Sequence, residues 1–173
     1  MPFTLLHMGP ATLIKSAGGS RFSFVVFGIT QVFIDLESGY NFLQGNWPMH
    51  NFLHTLLGAT LAAVICALIG KPIGEWLLRL WNARLSPAQK RWLGVESEIS
   101  WLAAASGATL GGYSHIVLDG IMHSDLRPAA PWSDANPLLH WVSISYLHWI
   151  CVASGVLGLM ILIPIWVQKR RGN

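Results

Sequence analysis

Hydrophobic and polar positions fall into long blocks along this chain rather than into alternating stripes. Four apolar blocks, at about residues 21–36, 50–70, 97–118 and 139–167, are separated by shorter polar stretches. The hydrocarbon core of a bilayer takes about 20 helical residues, so each block predicts a transmembrane helix, the first of them short. Residues 1–19 are too few to span, yet Leu5, Leu6, Leu13 and Ile14 make them apolar, and Gly18-Gly19 offers a turn into the next helix. They predict a re-entrant half-helix. Residues 72–93 alternate Trp76, Leu77, Leu80, Trp81 and Trp92 with basic residues, which suits an amphipathic helix in the cytoplasmic interface, with a soluble hairpin as the alternative. The expected fold is an all-α membrane protein, one domain over residues 1–173: four transmembrane helices, a re-entrant half-helix and an interfacial amphipathic helix.

Composition agrees. Of 173 residues 53% are apolar and 11% charged, against about 25% charged in ordinary soluble domains. Nine Trp and seven Phe leave no disordered stretch of domain size. Lysine and arginine sit between the blocks and supply orientation, because cytoplasmic loops hold them in excess. Lys15 and Arg21 precede the first span, Lys71, Arg79, Arg84, Lys90 and Arg91 lie between the second and third, and Lys169, Arg170 and Arg171 follow the fourth. The opposite loops hold Arg127 alone. The C-terminus is therefore expected in the cytoplasm of a multi-pass inner-membrane protein, with the acidic and histidine-rich ends facing outward, and the net charge of +3 reads as a topology signal rather than a nucleic-acid surface. Trp47, Trp132 and Trp141 would form the outer aromatic belt, and Trp101 and Trp166 the inner one. Cys66 and Cys151 lie inside apolar runs and give no disulfide framework. Residues 1–19 lack the basic start and small-residue cleavage site of a signal peptide.

Helical rise places polar groups from separate segments at one depth. Counted from the inner loops at 1.5 Å per residue, His7 lies roughly 18 Å up, Asp35 roughly 24 Å, His54 about 25 Å and His115 about 28 Å. His115, Asp119 and His123 are spaced four apart and would share a stripe on the third span, and His50 and His54 repeat that spacing on the second. Ionisable groups inside a span are costly and mark a partner or a cavity. Imidazoles and carboxylates without thiolate suit zinc, and manganese or iron would accept the same set. Asp35 and Glu37 are about 200° apart on a helix, so Asp35 is favoured as ligand and Glu37 as its support or as a metal bridge. Gln31, one turn below Asp35, reads as an interhelical hydrogen-bond donor or as ordinary helix packing. Arg127 could grip a phosphate bidentately, or simply pair with Asp125 or Asp134. His140 and His148 would share a face of the fourth helix.

The strings His7-Met-Gly-Pro, Ile34-Asp35-Leu36-Glu37, His50-x-x-x-His54-Thr55 and Ser114-His115-x-x-Leu118-Asp119 resemble the integral-membrane metal-dependent hydrolase family. That family is grouped with zinc-dependent phospholipase C and the single-strand-specific zinc nucleases. The similarity covers about residues 4–139. It implies ligands at His7, Asp35, His54, His115 and Asp119, with Asp119 bridging two ions and His123 following as the next ligand. The soluble relatives use their N-terminal amine as a ligand and close a third site with a late His-x-x-x-Asp. Here six residues precede His7, and Ile144 stands four after His140. A dinuclear zinc centre is expected rather than a trinuclear one, with His50 in the ligand set.

The implied activity is hydrolysis of a phosphoester by a metal-activated water, with Asp119, Arg127 and Glu37 as the residues nearest the chemistry. A site at outer-leaflet depth points to a phospholipid or lipid-linked phosphoester as substrate. Two other classes stay open. Intramembrane His and Asp can relay protons or metal ions in a transporter, and His54 with His148 could ligate haem between helices.

Overall fold

The computed structural model describes residues 5–171; the first four residues of the expected half-helix lie outside them. Seven α-helices and no strand occur among the described residues: α1 (Met8–Gly18), α2 (Phe24–Gln44), α3 (Leu56–Leu68), α4 (Gly70–Arg84), α5 (Pro87–Leu93), α6 (Trp101–Met122) and α7 (Ile144–Arg171). Short hydroxyl side chains start several of them. Ser23, Thr55 and Ser100 each accept a hydrogen bond from a first-turn amide, on α2, α3 and α6. Ser86 and Gln89 close a reciprocal cap on α5. Gly45, at φ 69°, ends α2 with the left-handed turn that glycine adopts without penalty.

α6 is the central helix, flanked by α2 and α3, while α1 lies along α7. Small residues bring the backbones close. A Cβ on Gly107 would lie 2.5 Å from the Ser23 carbonyl oxygen, one on Gly111 3.0 Å from that of Phe27, and one on Gly112 3.0 Å from that of Ala59. The stripe of alanines and glycines on α6 therefore serves contacts inside one chain. Val26, Ala63, Cys66, Ala104 and Ala108 fill the centre of the bundle. Large apolar side chains face outward instead, among them Leu36, Tyr40 and Leu43 on α2, Val64 on α3, Leu102 on α6 and Trp149 and Met160 on α7.

By length and composition α7 is, among the described helices, the one long and apolar enough to cross a membrane by itself, and α3 with α4 meets the same standard as a pair bent by 49°. Four separate spans are thus more than these helices show. α2 and α6 run 21 and 22 residues, about 32 Å each, and their glycines, hydroxyls, histidine and carboxylates dilute their hydropathy.

Several boundaries depart from expectation for local reasons. α2 continues past 36 to Gln44, because nothing breaks it before Gly45 and its two carboxylates find partners. His50 and His54 do not share a helix: His50 lies in the loop and His54 ends a 3₁₀ turn (Phe52–His54), since the Thr55 cap holds back the start of α3. His123 likewise falls outside the predicted helical stripe, in extended backbone just after α6. The amphipathic stretch is two helices broken at Ser86-Pro87. His140 is exposed, at φ 56°, and α7 starts four residues later, so His140 and His148 share no helical face.

Candidate metal centre

His7, His50, His54, His115 and His123 gather with Asp35, Glu37, Asp119 and Asp125 at the end of the bundle built by the C-terminal halves of α2 and α6 and the N-terminal ends of α1 and α3. Asp35 comes from α2, His54 from the 3₁₀ turn, and His115 and Asp119 from adjacent turns of α6. One donor atom from each of these four lies within 4.8 Å of every other, so the group could hold a metal ion. Asp119 faces three imidazoles with its two oxygens: Oδ2 is 3.1 Å from His115 Nε2 and 3.8 Å from His54 Nε2, and Oδ1 is 3.4 Å from His7 Nε2. Asp35 Oδ1 lies 3.4 Å from His115 Nε2 and 4.0 Å from His54 Nε2.

The opposite edges of the rings are tied down. Gln31 donates through Nε2 to the Gly111 carbonyl at 3.0 Å and to Ser114 Oγ at 3.3 Å, which turns its Oε1 toward His115 Nδ1 at 2.5 Å. An amide oxygen only accepts, so His115 carries its proton on Nδ1. His54 Nδ1 donates in the same way to Glu37 Oε2 at 3.2 Å, and that oxygen also accepts the Leu53 amide at 2.9 Å and the Asn51 amide at 3.3 Å. Gln31 and Glu37 thereby fix tautomers that leave each Nε2 with a free lone pair.

Those lone pairs have no hydrogen-bond partner. His7, His54 and His115 each bury an unsatisfied Nε2, and all three point at the carboxylates. Buried polar atoms are normally satisfied, so three convergent orphans call for an explanation. Two carboxylates are buried among these rings, and a divalent cation would satisfy them together with the orphaned nitrogens. The donor set fits such an ion.

A second group adjoins the first. His50, His123 and Asp125 also bring donor atoms within 4.8 Å of one another. The rings of His50 and His123 stack at 4.1 Å, and His50 lies 4.7 Å from the ring of His54. Asp125 anchors the loop: it accepts the Met49 and His50 amides at 2.9 and 3.1 Å and His50 Nδ1 at 3.0 Å. Burial pushes its carboxyl up, but these bonds outweigh burial and hold it below the ordinary aspartate range. Burial lowers the His123 imidazole to about 4, against the pull of Asp119, which keeps it in the neutral form that binds metals.

The expected ligands thus divide into His7, Asp35, His54, His115 and Asp119 around one centre and His50 with His123 in the other. Glu37 supports His54 from behind, and Gln31 is the interhelical donor that the sequence suggested. Arg127 is exposed and pairs with Asp134 at 2.8 Å, the simpler of its two readings. Asp125 is the member that sequence reasoning misses, because two residues before Arg127 it reads as an ion-pair partner. Its place two residues after His123 was the available signal. Comparison of the chain with family models, with curated proteins and with solved structures gives no match.

Proposed function

We propose that this chain is a membrane-embedded, metal-dependent hydrolase of the integral-membrane family that its motifs resemble, acting on a phospholipid or lipid-linked phosphoester. The observation that carries the reading is the convergence of three partnerless imidazole nitrogens on two buried carboxylates beneath an apolar exterior. In this reading α2 and α6 cross the bilayer together with α7 and the bent α3–α4 pair. The Lys and Arg clusters face the cytoplasm, and the site opens toward the outer leaflet.

His7, Asp35, His54, His115 and Asp119 would hold one zinc ion, with a second at His50, His123 and Asp125. Zinc bound there supplies Lewis acidity and brings the pKa of a coordinated water toward neutrality. Asp119, which faces His7 through one oxygen and His115 through the other, would hold metal through its carboxylate. Gln31 and Glu37 keep two imidazoles aimed inward. Arg127 sits on a loop whose Pro128 carbonyl accepts the Leu56 amide at the head of α3, and it would hold substrate phosphate by exchanging Asp134 for it. Transport is less well supported, because the bundle between the site and the opposite end is filled by Val26, Ala63, Cys66 and Ala104.

The test is hydrolysis of defined lipid classes by protein in nanodiscs, followed by mass spectrometry. Turnover of a phosphoester that chelator abolishes, zinc restores and Asp119→Ala removes is the expected result. Turnover of no class, or equal turnover by Asp119→Ala, contradicts the reading.

A further inference from the structure

The end of the bundle opposite the metal-capable group holds a cleft shared by several elements. Lys15 near the end of α1, Lys90 on α5, Glu96 in the segment before α6, and Lys169 and Arg170 at the end of α7 line one cavity of about 690 Å³. Four cations there face one carboxylate. The ion pairs that lysine and arginine form among the described residues, Lys71 with Glu75 and Arg127 with Asp134, lie elsewhere, so the positive charge of the cleft is not cancelled by a close carboxylate.

Its walls are tied down. Asn82 of α4 exchanges hydrogen bonds with the Val95 amide and carbonyl at 3.0 and 2.7 Å, and Trp81 donates to the Leu93 carbonyl at 3.0 Å. Lys15 Nζ donates to the Gly19 and Phe22 carbonyls at 2.8 and 2.7 Å, and Arg170 donates to the Gly94 carbonyl. Carbonyls orient these two heads without neutralising them. An ammonium has three N–H donors and a guanidinium five, so both keep donors for a ligand. The exposed heads of Lys90 and Lys169 complete the set. The complement of such a cleft is an anion rich in acceptor oxygens, and a phosphate group is the natural one.

The neighbouring face of α7 tells which phosphate. Trp166 lines the same cavity, with its ring 5.8 Å from that of Trp92. Ile163 and Leu159 continue its stripe along the helix, three and seven residues back, and are 53 and 49% exposed. Basic heads, aromatic rings and an apolar strip thus follow one another from the end of α7 toward its middle, the order in which a lipid presents phosphate, glycerol and acyl chain. A free phosphate would fill the cleft and leave the strip bare.

We propose that this cleft binds the phosphodiester of an anionic phospholipid of the phosphatidylglycerol class, with an acyl chain along Ile163 and Leu159. The surplus of positive charge selects a headgroup that carries no ammonium of its own. A phosphate held by Lys15, Lys90, Lys169 and Arg170 would link α1, α5 and α7. The site is independent of the hydrolase reading, since this lipid is bound and not cleaved.

The experiment is native mass spectrometry of the full chain released from detergent, titrated separately with phosphatidylglycerol, phosphatidylcholine and inorganic phosphate. Phosphatidylglycerol should saturate at one molecule per chain, with phosphatidylcholine bound at least about tenfold more weakly. The double variant Lys90→Gln/Lys169→Gln should weaken phosphatidylglycerol by about tenfold or more. Arg79→Gln/Arg84→Gln, which removes two charges of the same end that do not line the cleft, should leave its affinity unchanged. Equal binding of the two lipids, equal losses in the two double variants, or inorganic phosphate that displaces phosphatidylglycerol at matching concentration would overturn the proposal.

Discussion

Two residues that would touch no ion, Gln31 and Glu37, decide whether the imidazoles of this protein are usable. Each accepts the Nδ1 proton of one histidine, and each is held in turn by backbone groups. Removing such support typically weakens metal affinity by about 10- to 100-fold. Gln31→Leu is expected to lower zinc affinity within that range, measured by competition with a chromophoric chelator, while the helical circular-dichroism spectrum stays unchanged; affinity equal to the parent protein would show that Gln31 does not orient His115. Asp125 acts on the loop. A carboxylate held below its unfolded pKa contributes stability that is present above about pH 4 and lost as pH falls through the folded value. Exchange protection of the Met49 and His50 amides should therefore persist at pH 5 and vanish in Asp125→Ala, read by hydrogen exchange. Much at this scale was legible: Asp35, His54, His115 and Asp119 announced themselves as ionisable groups at one depth of apolar runs. Asp125 did not, because a loop acid beside an arginine looks like an ordinary ion pair.

Among the elements, α6 makes close approaches to α2 and α3, and its glycines make that dependence measurable. Gly107→Ala puts a methyl 2.5 Å from the Ser23 carbonyl oxygen, and overpacking of this kind costs about 1–3 kcal/mol, or roughly 2–12 °C in Tm. Gly39→Ala, with open space around it, should leave Tm unchanged or raise it, by up to about 1 kcal/mol of helix propensity. Thermal denaturation of the two variants in one detergent checks the pair, and equal effects would contradict the helix contacts described. Block periodicity located most of the helices but misplaced their ends. Thr55 and Ser86 are caps that hydropathy ignores, and two spacings of four, His50 to His54 and Asp119 to His123, could not be told from true helical turns.

At the scale of the molecule, two asymmetries coincide. Aspartate and histidine collect at one end of the bundle, and lysine and arginine collect at the other, where Arg170 bonds the Gly94 carbonyl and Trp92 meets Trp166. Reporter fusions after Arg84 and Arg171 should report the cytoplasm, and one near Ser133 the opposite side; the reverse would invert the topology and place the site at the inner leaflet. The segregation of Lys and Arg from the His and Asp was legible in the charge count; the orientation it implies is what the fusions test. α2 and α6 fall short of the hydropathy of a span, because the groups that build the site also make those helices less apolar. The account stands on the claim that the converging imidazoles and carboxylates bind metal. Elemental analysis of protein purified without chelator tests that claim directly: zinc at about one to two ions per chain, lost in His115→Ala and Asp119→Ala variants that stay folded, is the result predicted. A metal-free parent protein that still does not take up added zinc, or variants that keep the full complement, would contradict it.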